Sequence, residues 1–142
     1  MSGIEPLSAA ARIAASGMAA QSLRLRVVAE NIANAETTGK TAGAAPYARK
    51  TVSFANVLEE ESGVTRVEVD KVGRDTAPFP LEFQPGHPAA DAQGYVKMPN
   101  VNMLVEMADM REATRSYEAN LQVIRQSRDM GNLLVDLLRG GS

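Results

Sequence analysis

Apolar residues near the start of the chain recur at alternating steps of three and four. The series is Leu7, Ala11, Ala14, Met18, Gln21, Leu25, Val28 and Ile32, in which Gln21 is the polar member. This spacing is typical of a coiled-coil seam and predicts a long amphipathic helix. Proline suits the first helical position, and the residue before it is disfavoured in a helix. We therefore expect the helix to begin near Pro6.

The same spacing returns after Pro99. The series is Met103, Met107, Met110, Thr114, Tyr117, Leu121 and Ile124, and later apolar residues, among them Leu134, widen the apolar face. Asn100 or Asn102 is a candidate N-cap, because an asparagine oxygen can accept hydrogen bonds from the free N–H groups of a first turn. Arg139 followed by two glycines predicts the end of this second helix.

The residues between the two helical patterns have a different character. Residues 36–50 (ETTGKTAGAAPYARK) have the glycines and proline of a loop. Short strands are expected at 51–55, 64–70, 79–83 and 95–98, where β-branched and aromatic residues gather. The acidic run 59–61 and the Ser-Gly after it predict a solvated turn.

These patterns together predict a mainly α fold with a small β region. Terminal helices in residues 1–35 and 99–139 are expected to pack as an antiparallel coiled-coil-like pair, joined through a hinge loop at 36–50 to a short β-rich and loop middle region at 51–98. So small a middle region cannot cover two long helices, and exposed apolar strips mark interaction surfaces. We therefore expect a polymerising subunit whose core is completed by neighbouring copies or partner subunits.

Composition and charge exclude several classes of function. The 142 residues carry a net charge of −2, and Lys and Arg are dispersed along the chain. The chain therefore lacks the basic cluster that is typical of binding to nucleic acid or to an anionic membrane. No apolar run reaches the roughly 18 residues of a membrane span, so no direct membrane insertion is expected. The N-terminal residues also lack the pattern of a conventional secretory signal. The absence of cysteine excludes disulfides and thiolate metal sites.

Candidate chemistry is sparse. Gly39-Lys40-Thr41 matches the end of a phosphate-binding loop, but Asn34 stands where that loop needs its first glycine, and a helical pattern precedes the motif instead of a strand. His87 is the single histidine, so it could bind a metal only beside carboxylates. The serines lack a Gly-x-Ser-x-Gly setting. We predict no catalytic, cofactor-binding or metal-binding site, and no enzymatic activity.

Asn31 and Asn34 lie three residues apart, on one face near the end of the first helix. One interpretation is that they terminate the helix, since asparagine bonds locally to backbone groups. The other is that a polar pair beside a coiled-coil seam fixes the register against a partner. The two interpretations are compatible.

Two stretches resemble a known family. Residues 11–35, ending in NIANA at 31–35, resemble the signature of bacterial flagellar axial proteins, the rod and hook group. Residues 85–102 (PGHPAADAQGYVKMPNVN), followed by MLVEM at 103–107 and RSYEAN at 115–120, are similar to proximal-rod subunits of that group. One departure concerns the loop, where Thr37-Thr38-Gly39 lacks the proline that the group usually has there.

The resemblance implies a structural subunit that assembles helically into the drive shaft between the membrane ring and the hook. It implies as partners further copies of the chain, other proximal and distal rod proteins, the adaptor joining rod to membrane ring, and the flagellar type III export apparatus. That apparatus would carry the chain, without a Sec signal, to the periplasm-spanning rod of the basal body. The expected subunit-interface residues are Met18, Leu25, Val28, Asn31, Ile32, Asn34, Met103, Met107, Met110, Tyr117, Leu121, Ile124 and Leu134.

A rival interpretation is a soluble cytoplasmic helical adaptor that forms a discrete dimer. A closed dimer keeps one size as concentration rises, whereas heterologous contacts need not close. Light scattering over a range of concentrations separates the two.

Overall fold

The protein was analysed as a computed structural model that describes residues 4–141. The elements follow along the chain in the order α1 (Ile4–Ala33), β1 (Lys50–Glu59), β2 (Val64–Arg74), β3 (Leu81–Phe83), β4 (Tyr95–Lys97) and α2 (Met103–Gly140). The predicted mainly α fold with a small β region is confirmed. Residues 1–3 of the predicted 1–35 segment lie outside the described residues.

β1 and β2 form a two-stranded sheet that is longer than the sequence pattern predicted. Glu59, expected in the acidic turn, is the last residue of β1, and the turn comprises residues 60–63. The Gly63 N–H closes it by donating to the Glu59 carbonyl over 2.8 Å, and Gly63 has a φ of 69°, which favours glycine. Because many side chains of this hairpin are exposed, charged residues extend the strands without a burial cost.

β3 and β4 form a separate short antiparallel pair. Glu82 lies opposite Val96, and Phe83 lies opposite Tyr95. The two rings meet edge to face with centroids 5.3 Å apart. Val96 is fully buried, so this small sheet contributes an apolar side chain to the interior of its part of the chain.

The chain divides into two compact units. The first contains the described residues up to Leu23, Phe54–Asp70 and the residues from Glu112 onward, and its buried apolar residues are Ala14, Ala20 and Ala113. A Cβ atom added at Gly17 would lie 2.7 Å from Asn120 Nδ2, so the helices approach closely there. Small side chains therefore allow helix-to-helix packing in the first unit.

The second unit consists of Arg24–Ser53 and Lys71–Arg111. Within it the two helices run antiparallel, because Arg24 pairs with Asp109 at 3.3 Å and the later Asn31 bonds the earlier Glu106 at 3.3 Å. Its interior is unusual in being partly polar. The largest fully buried side chains of the described chain are Glu106, Val96 and Asn31.

The inward face of α2 in the second unit does not follow the methionine series that the sequence suggested. Met103 is 42% exposed and Met107 55% exposed, whereas Glu106 is 0% exposed. A helical residue adjacent in sequence is rotated by about 100°, so a face centred on Glu106 turns Met107 outward. The two methionines are thus free to meet another molecule.

Asn102 is the N-cap of α2, as one of the two predicted alternatives had it. Its Oδ1 accepts from the N–H groups of Leu104 at 3.0 Å and Val105 at 3.4 Å. Asn102→Ala removes this acceptor and should lower the free energy of unfolding by about 1 kcal/mol. Urea unfolding measures the change, and Asn102→Asp, which keeps an acceptor oxygen, should stay near the wild type. Equal losses in the two variants would contradict the capping role.

No helix within residues 4–141 combines the length and apolarity needed to cross a membrane.

Candidate subunit interface and its buried polar junction

The second unit contains a cluster of buried and half-buried polar groups, which we call the polar junction. It consists of the side chains of Asn31, Tyr47, Arg49 and Glu106 and the backbone of Lys50. Asn31 comes from α1, Glu106 from α2, and the other three from the loop and first residue of β1. The junction therefore connects both helices to the beginning of the hairpin.

Asn31 uses its whole amide group inside the junction. Its Nδ2 donates to the Lys50 carbonyl at 3.0 Å and to Glu106 Oε2 at 3.3 Å. Its Oδ1 accepts from the Lys50 N–H at 2.8 Å and from the Tyr47 hydroxyl at 2.7 Å. An amide has two donors and two acceptor lone pairs, so every hydrogen-bonding position is filled. Asn31 thus binds Lys50 as a neighbouring strand would, through both backbone groups.

Glu106 is held by two partners that come from different elements. Its Oε1 accepts from Arg49 Nε, and its Oε2 accepts from Asn31. Burial would lower the pKa of Arg49, but the hydrogen bond to Glu106 and the nearby carboxylates outweigh it and raise that pKa. A buried carboxylate is tolerated when it is paired and hydrogen-bonded, and Glu106 meets both conditions.

Further carboxylates and an asparagine hold Arg49 from outside. Its guanidinium donates to Asp75 and to Asp109, each at 3.5 Å. Its backbone N–H donates to Asn100 Oδ1 at 2.7 Å. Asn100 in turn donates to the carbonyls of Asp75 at 3.2 Å and Ala77 at 3.0 Å. One arginine therefore joins α2 to the loop segments on both sides of the hairpin.

The structural role of Asn34 differs from that of Asn31. It follows the last residue of α1, and its Nδ2 donates to the Glu30 carbonyl at 2.9 Å while its Oδ1 accepts from the Thr37 hydroxyl at 3.0 Å. The Glu30 carbonyl also accepts the Asn34 backbone N–H at 3.0 Å, so Asn34 holds the helix end through both its backbone and its side chain, as expected of a terminating asparagine. The alternative role of both asparagines, fixing the register against a partner, stays a prediction.

Glu30 and Lys50 form an ion pair at the edge of the junction. The hydrogen bond from Lys50 lowers the pKa of Glu30, with burial opposing it and the charge of Lys50 and two arginines assisting. A carboxyl with a lowered folded-state pKa stabilises the fold above its unfolded value near 4.5, and this contribution is lost as the pH falls through the lower folded value.

The pair predicts a change in acid sensitivity. Glu30→Gln should weaken the fold at neutral pH and reduce the loss of stability on acidification below about pH 4.5. Lys50→Met should act in the same direction, because it removes the partner and keeps the backbone that Asn31 binds. Urea midpoints measured between neutral and acidic pH test this. An unchanged pH dependence in both variants would contradict it.

The predicted interface residues fall into three groups of exposure. Val28 and Asn31 are buried; Met103 and Met107 are exposed; the half-buried ones are Met18, Leu25, Ile32, Asn34, Met110, Tyr117, Leu121, Ile124 and Leu134. Asn31 makes its four described bonds within its own chain. Contact of any of these residues with another subunit stays a prediction.

The sequence patterns did not mark Tyr47, Arg49, Asn100 or Glu106 as parts of a site. Charged residues in a helical pattern are ordinarily solvated, so the charge of Glu106 indicated an exposed position. A usable signal was the spacing of Glu106 and Met110. They are four residues apart, which places both side chains on the same face of the helix.

The remaining candidate residues have ordinary surroundings. Gly39-Lys40-Thr41 stands in irregular chain, and the element that follows is β1 and not a helix. His87 Nδ1 accepts from the Ala89 N–H at 3.0 Å within its own loop. Among residues 4–141 no three His, Asp or Glu side chains are grouped so that they could hold a metal ion.

Two family models match the chain. Residues 12–39 match the model described as "Flagella basal body rod protein", and residues 92–137 match "Flagellar basal body rod FlgEFG protein C-terminal". The first match includes Asn31 and Asn34, and the second includes Glu106.

Whole-chain relatives agree with these matches. The flagellar basal-body rod protein FlgC of Agrobacterium fabrum is 62% identical over 96% of this chain and 98% of its own length. The proteins of the same name from Salmonella typhimurium and Bacillus subtilis are 43% and 37% identical, each over 83% of this chain and over 87% and 89% of their own lengths.

Proposed function

The chain belongs to the flagellar basal-body rod protein family of FlgC, and from this premise we propose that it is a structural subunit of the proximal rod. In this proposal the subunits assemble helically into the drive shaft that transmits motor torque from the membrane ring to the distal rod and hook. The observation that carries it is the match to FlgC proteins over nearly the full length of both chains.

Exposed apolar residues in the first unit support assembly. The last turns of α2 leave Leu133 59%, Leu137 63% and Leu138 71% exposed, with Met130 and Val135 also exposed. A helix that is apolar around most of its circumference is normally buried. In the described chain this segment is uncovered, as expected of a subunit whose neighbours complete its core.

Transmission of torque requires a subunit that does not yield when it is twisted. The polar junction suits this need, because Arg49 and Asn31 hold α1, α2 and the start of β1 by hydrogen bonds in the same place. Hydrogen bonds are directional. When every donor and acceptor of a polar cluster has a partner, few other arrangements of the cluster have a similar energy. In the assembled rod we expect the junction to keep the second unit from shearing.

A place in the proximal rod implies a set of protein partners. We infer contacts with further copies, with the other proximal and distal rod proteins and with the adaptor that joins rod to membrane ring. Export through the flagellar type III apparatus to the periplasm-spanning rod, without a Sec signal, is part of the same proposal. Disulfide-free chemistry suits that oxidising destination, because the chain has no cysteine that could pair wrongly.

Deletion of the gene tests the proposal. Isolated basal bodies imaged by electron microscopy should show membrane rings without rod and hook, and a plasmid copy of the gene should restore both. Intact motile flagella in the deletion strain would overturn the proposal and favour the soluble dimeric adaptor.

A point variant separates assembly from folding. The predicted interface residues Leu25 and Leu121 are half-buried in their own chain, so charging them would also disturb folding. Leu133 is exposed, so Leu133→Asp should leave the free energy of unfolding within about 0.5 kcal/mol while abolishing rods in the complemented strain. Gln126→Asp, at an exposed polar position of α2, is the matched control and should restore motility. Normal rods with Leu133→Asp would contradict the role of this apolar segment.

A further inference from the structure

Methionine holds all the sulfur of this chain. The 142 residues include seven methionines but no cysteine and no tryptophan. Mild oxidants such as hydrogen peroxide react with the side-chain sulfur of cysteine and methionine. Peroxide chemistry on this chain is therefore concentrated on its methionines.

The methionines within residues 4–141 differ in exposure. Met103 is 42% exposed, while Met107 and Met130 are each 55% exposed. The half-buried ones are Met18, Met98 and Met110. A thioether is oxidised only where the oxidant can touch its sulfur, so susceptibility follows exposure. The three exposed methionines, all of them on α2, should react first.

Met103 and Met107 belong to one exposed apolar surface. They lie four residues apart on α2, and Leu104, which is 79% exposed, lies three residues before Met107. Residues with these spacings are neighbours on a helix. The polar junction holds Glu106 inward, and this fixes the rotation of α2 that leaves both methionines outside. The same fold that buries the glutamate therefore presents two thioethers to the oxidant.

We propose that Met103 and Met107 form a peroxide-sensitive modification site, and that their oxidation keeps the chain out of the rod. In each reaction the thioether sulfur attacks one oxygen of hydrogen peroxide. The O–O bond breaks and an S–O bond forms, and the departing hydroxide takes the proton of the transferred oxygen and leaves as water. The sulfur is oxidised to a sulfoxide, and the peroxide is reduced.

The sulfoxide changes a flexible apolar side chain into a polar one. Thioethers adapt well to a binding surface because they are flexible and polarizable, and a sulfoxide there must give up water. Both residues are among the predicted interface residues, so this inference rests on the proposed rod function. Because both are exposed in the separate chain, oxidation should spare the fold and impair assembly.

The oxidation pattern of the purified full chain tests the site. Trypsin releases residues 98–111 as a single peptide, since a lysine precedes it and an arginine ends it. The peptide contains the exposed pair and two half-buried methionines, Met98 and Met110. After brief treatment with hydrogen peroxide, fragment mass spectra should show the exposed pair oxidised at least about twofold faster than the other two. In denaturing urea the four rates should converge. Equal rates in the folded chain would overturn the proposal.

Substitutions test the effect on assembly. The glutamine variant, Met103→Gln with Met107→Gln, imitates the polarity of two sulfoxides, and the leucine variant, Met103→Leu with Met107→Leu, stays apolar and cannot form them. All chains also carry Met130→Leu, so the third exposed methionine does not contribute. In the deletion strain the leucine variant should restore rods. The glutamine variant should give about tenfold fewer rods per cell, at an unchanged urea midpoint. Normal rod numbers with it would reject the modification site and leave the rod function standing.

A peroxide challenge tests the methionines themselves. The chain that keeps Met103 and Met107 and the leucine variant are each induced in the deletion strain, with and without sublethal hydrogen peroxide, and rods are counted in isolated basal bodies. Peroxide should reduce rods at least about twofold more in the chain that keeps both methionines. The leucine variant corrects for damage to other proteins. Equal losses would overturn the proposal, whereas a failure of both chains to restore rods without peroxide would instead refute the proposed rod function.

Discussion

Glu106→Ala is expected to lower the free energy of unfolding by about 3–5 kcal/mol, because removing one member of a buried ion pair leaves the other without compensation. In this chain two residues, Arg49 and Asn31, would each lose a hydrogen bond to Glu106. The Arg49 guanidinium would retain only its longer contacts to Asp75 and Asp109, and one donor of the buried Asn31 would lose its partner. Among the described residues, Asn31 and Glu106 are the buried polar or charged ones.

Urea unfolding followed by far-ultraviolet circular dichroism measures the effect. Glu118→Ala is the matched control, since Glu118 is an exposed glutamate on the same helix, and its substitution should change stability by no more than about 0.5 kcal/mol. If the alanine variant does not fold, Glu106→Gln keeps the size and one acceptor oxygen and should show a smaller loss. Similar stability of Glu106→Ala and Glu118→Ala would contradict the importance of the junction.

Asn31→Leu should have an effect of comparable size, about 3–5 kcal/mol. Leucine preserves much of the volume, but it leaves the Lys50 N–H and carbonyl, the Tyr47 hydroxyl and one Glu106 oxygen without their partner. Each buried polar group left unsatisfied costs about 1–3 kcal/mol, and water can reach part of this set because Tyr47 is half-buried. The same urea titration applies, with loss of motility expected in the cell.

Asn31→Asp distinguishes hydrogen bonding from size. An aspartate can still accept from Lys50 and Tyr47, but it cannot donate to the Lys50 carbonyl, and it brings a second negative charge close to Glu106. Two carboxylates that share a site cannot both ionise without a large cost. The variant should therefore be strongly destabilised at neutral pH and should recover in part on mild acidification. A loss that does not change with pH would contradict this account.

The sequence was sufficient for the helical architecture. Alternating steps of three and four located α1 and α2 because an amphipathic helix repeats its buried face at that interval. The four strands were placed correctly, but β1 and β2 were predicted too short, whereas β3 and β4 were predicted slightly too long. Exposed strands pair through their backbones, so Glu59 and Lys71 can extend β1 and β2 without leaving an apolar pattern to detect.

The sequence predicted one part of the polar junction, Asn31, and did not predict Glu106. Asn31 and Asn34 were singled out together because they share a helix face, yet Asn34 ends the helix and Asn31 binds Lys50. Their difference depends on residues 19 positions along the chain, which local spacing does not encode. Glu106 was missed for the related reason that its partners, Asn31 and Arg49, come 75 and 57 positions earlier.

The distance along the chain between Asn31 and Glu106 determines how early during synthesis the polar junction can form. A ribosome that has just added Asn31 needs to add 75 more residues before Glu106, its most distant partner, exists. At ordinary rates of synthesis this takes about 4–15 s, which is long compared with the formation of a helix. Lys50 and Tyr47 are made earlier, but the hydrogen bond from Asn31 to Glu106 cannot form during that interval. The polar junction can therefore be completed only after about three quarters of the chain, up to Glu106, has been made.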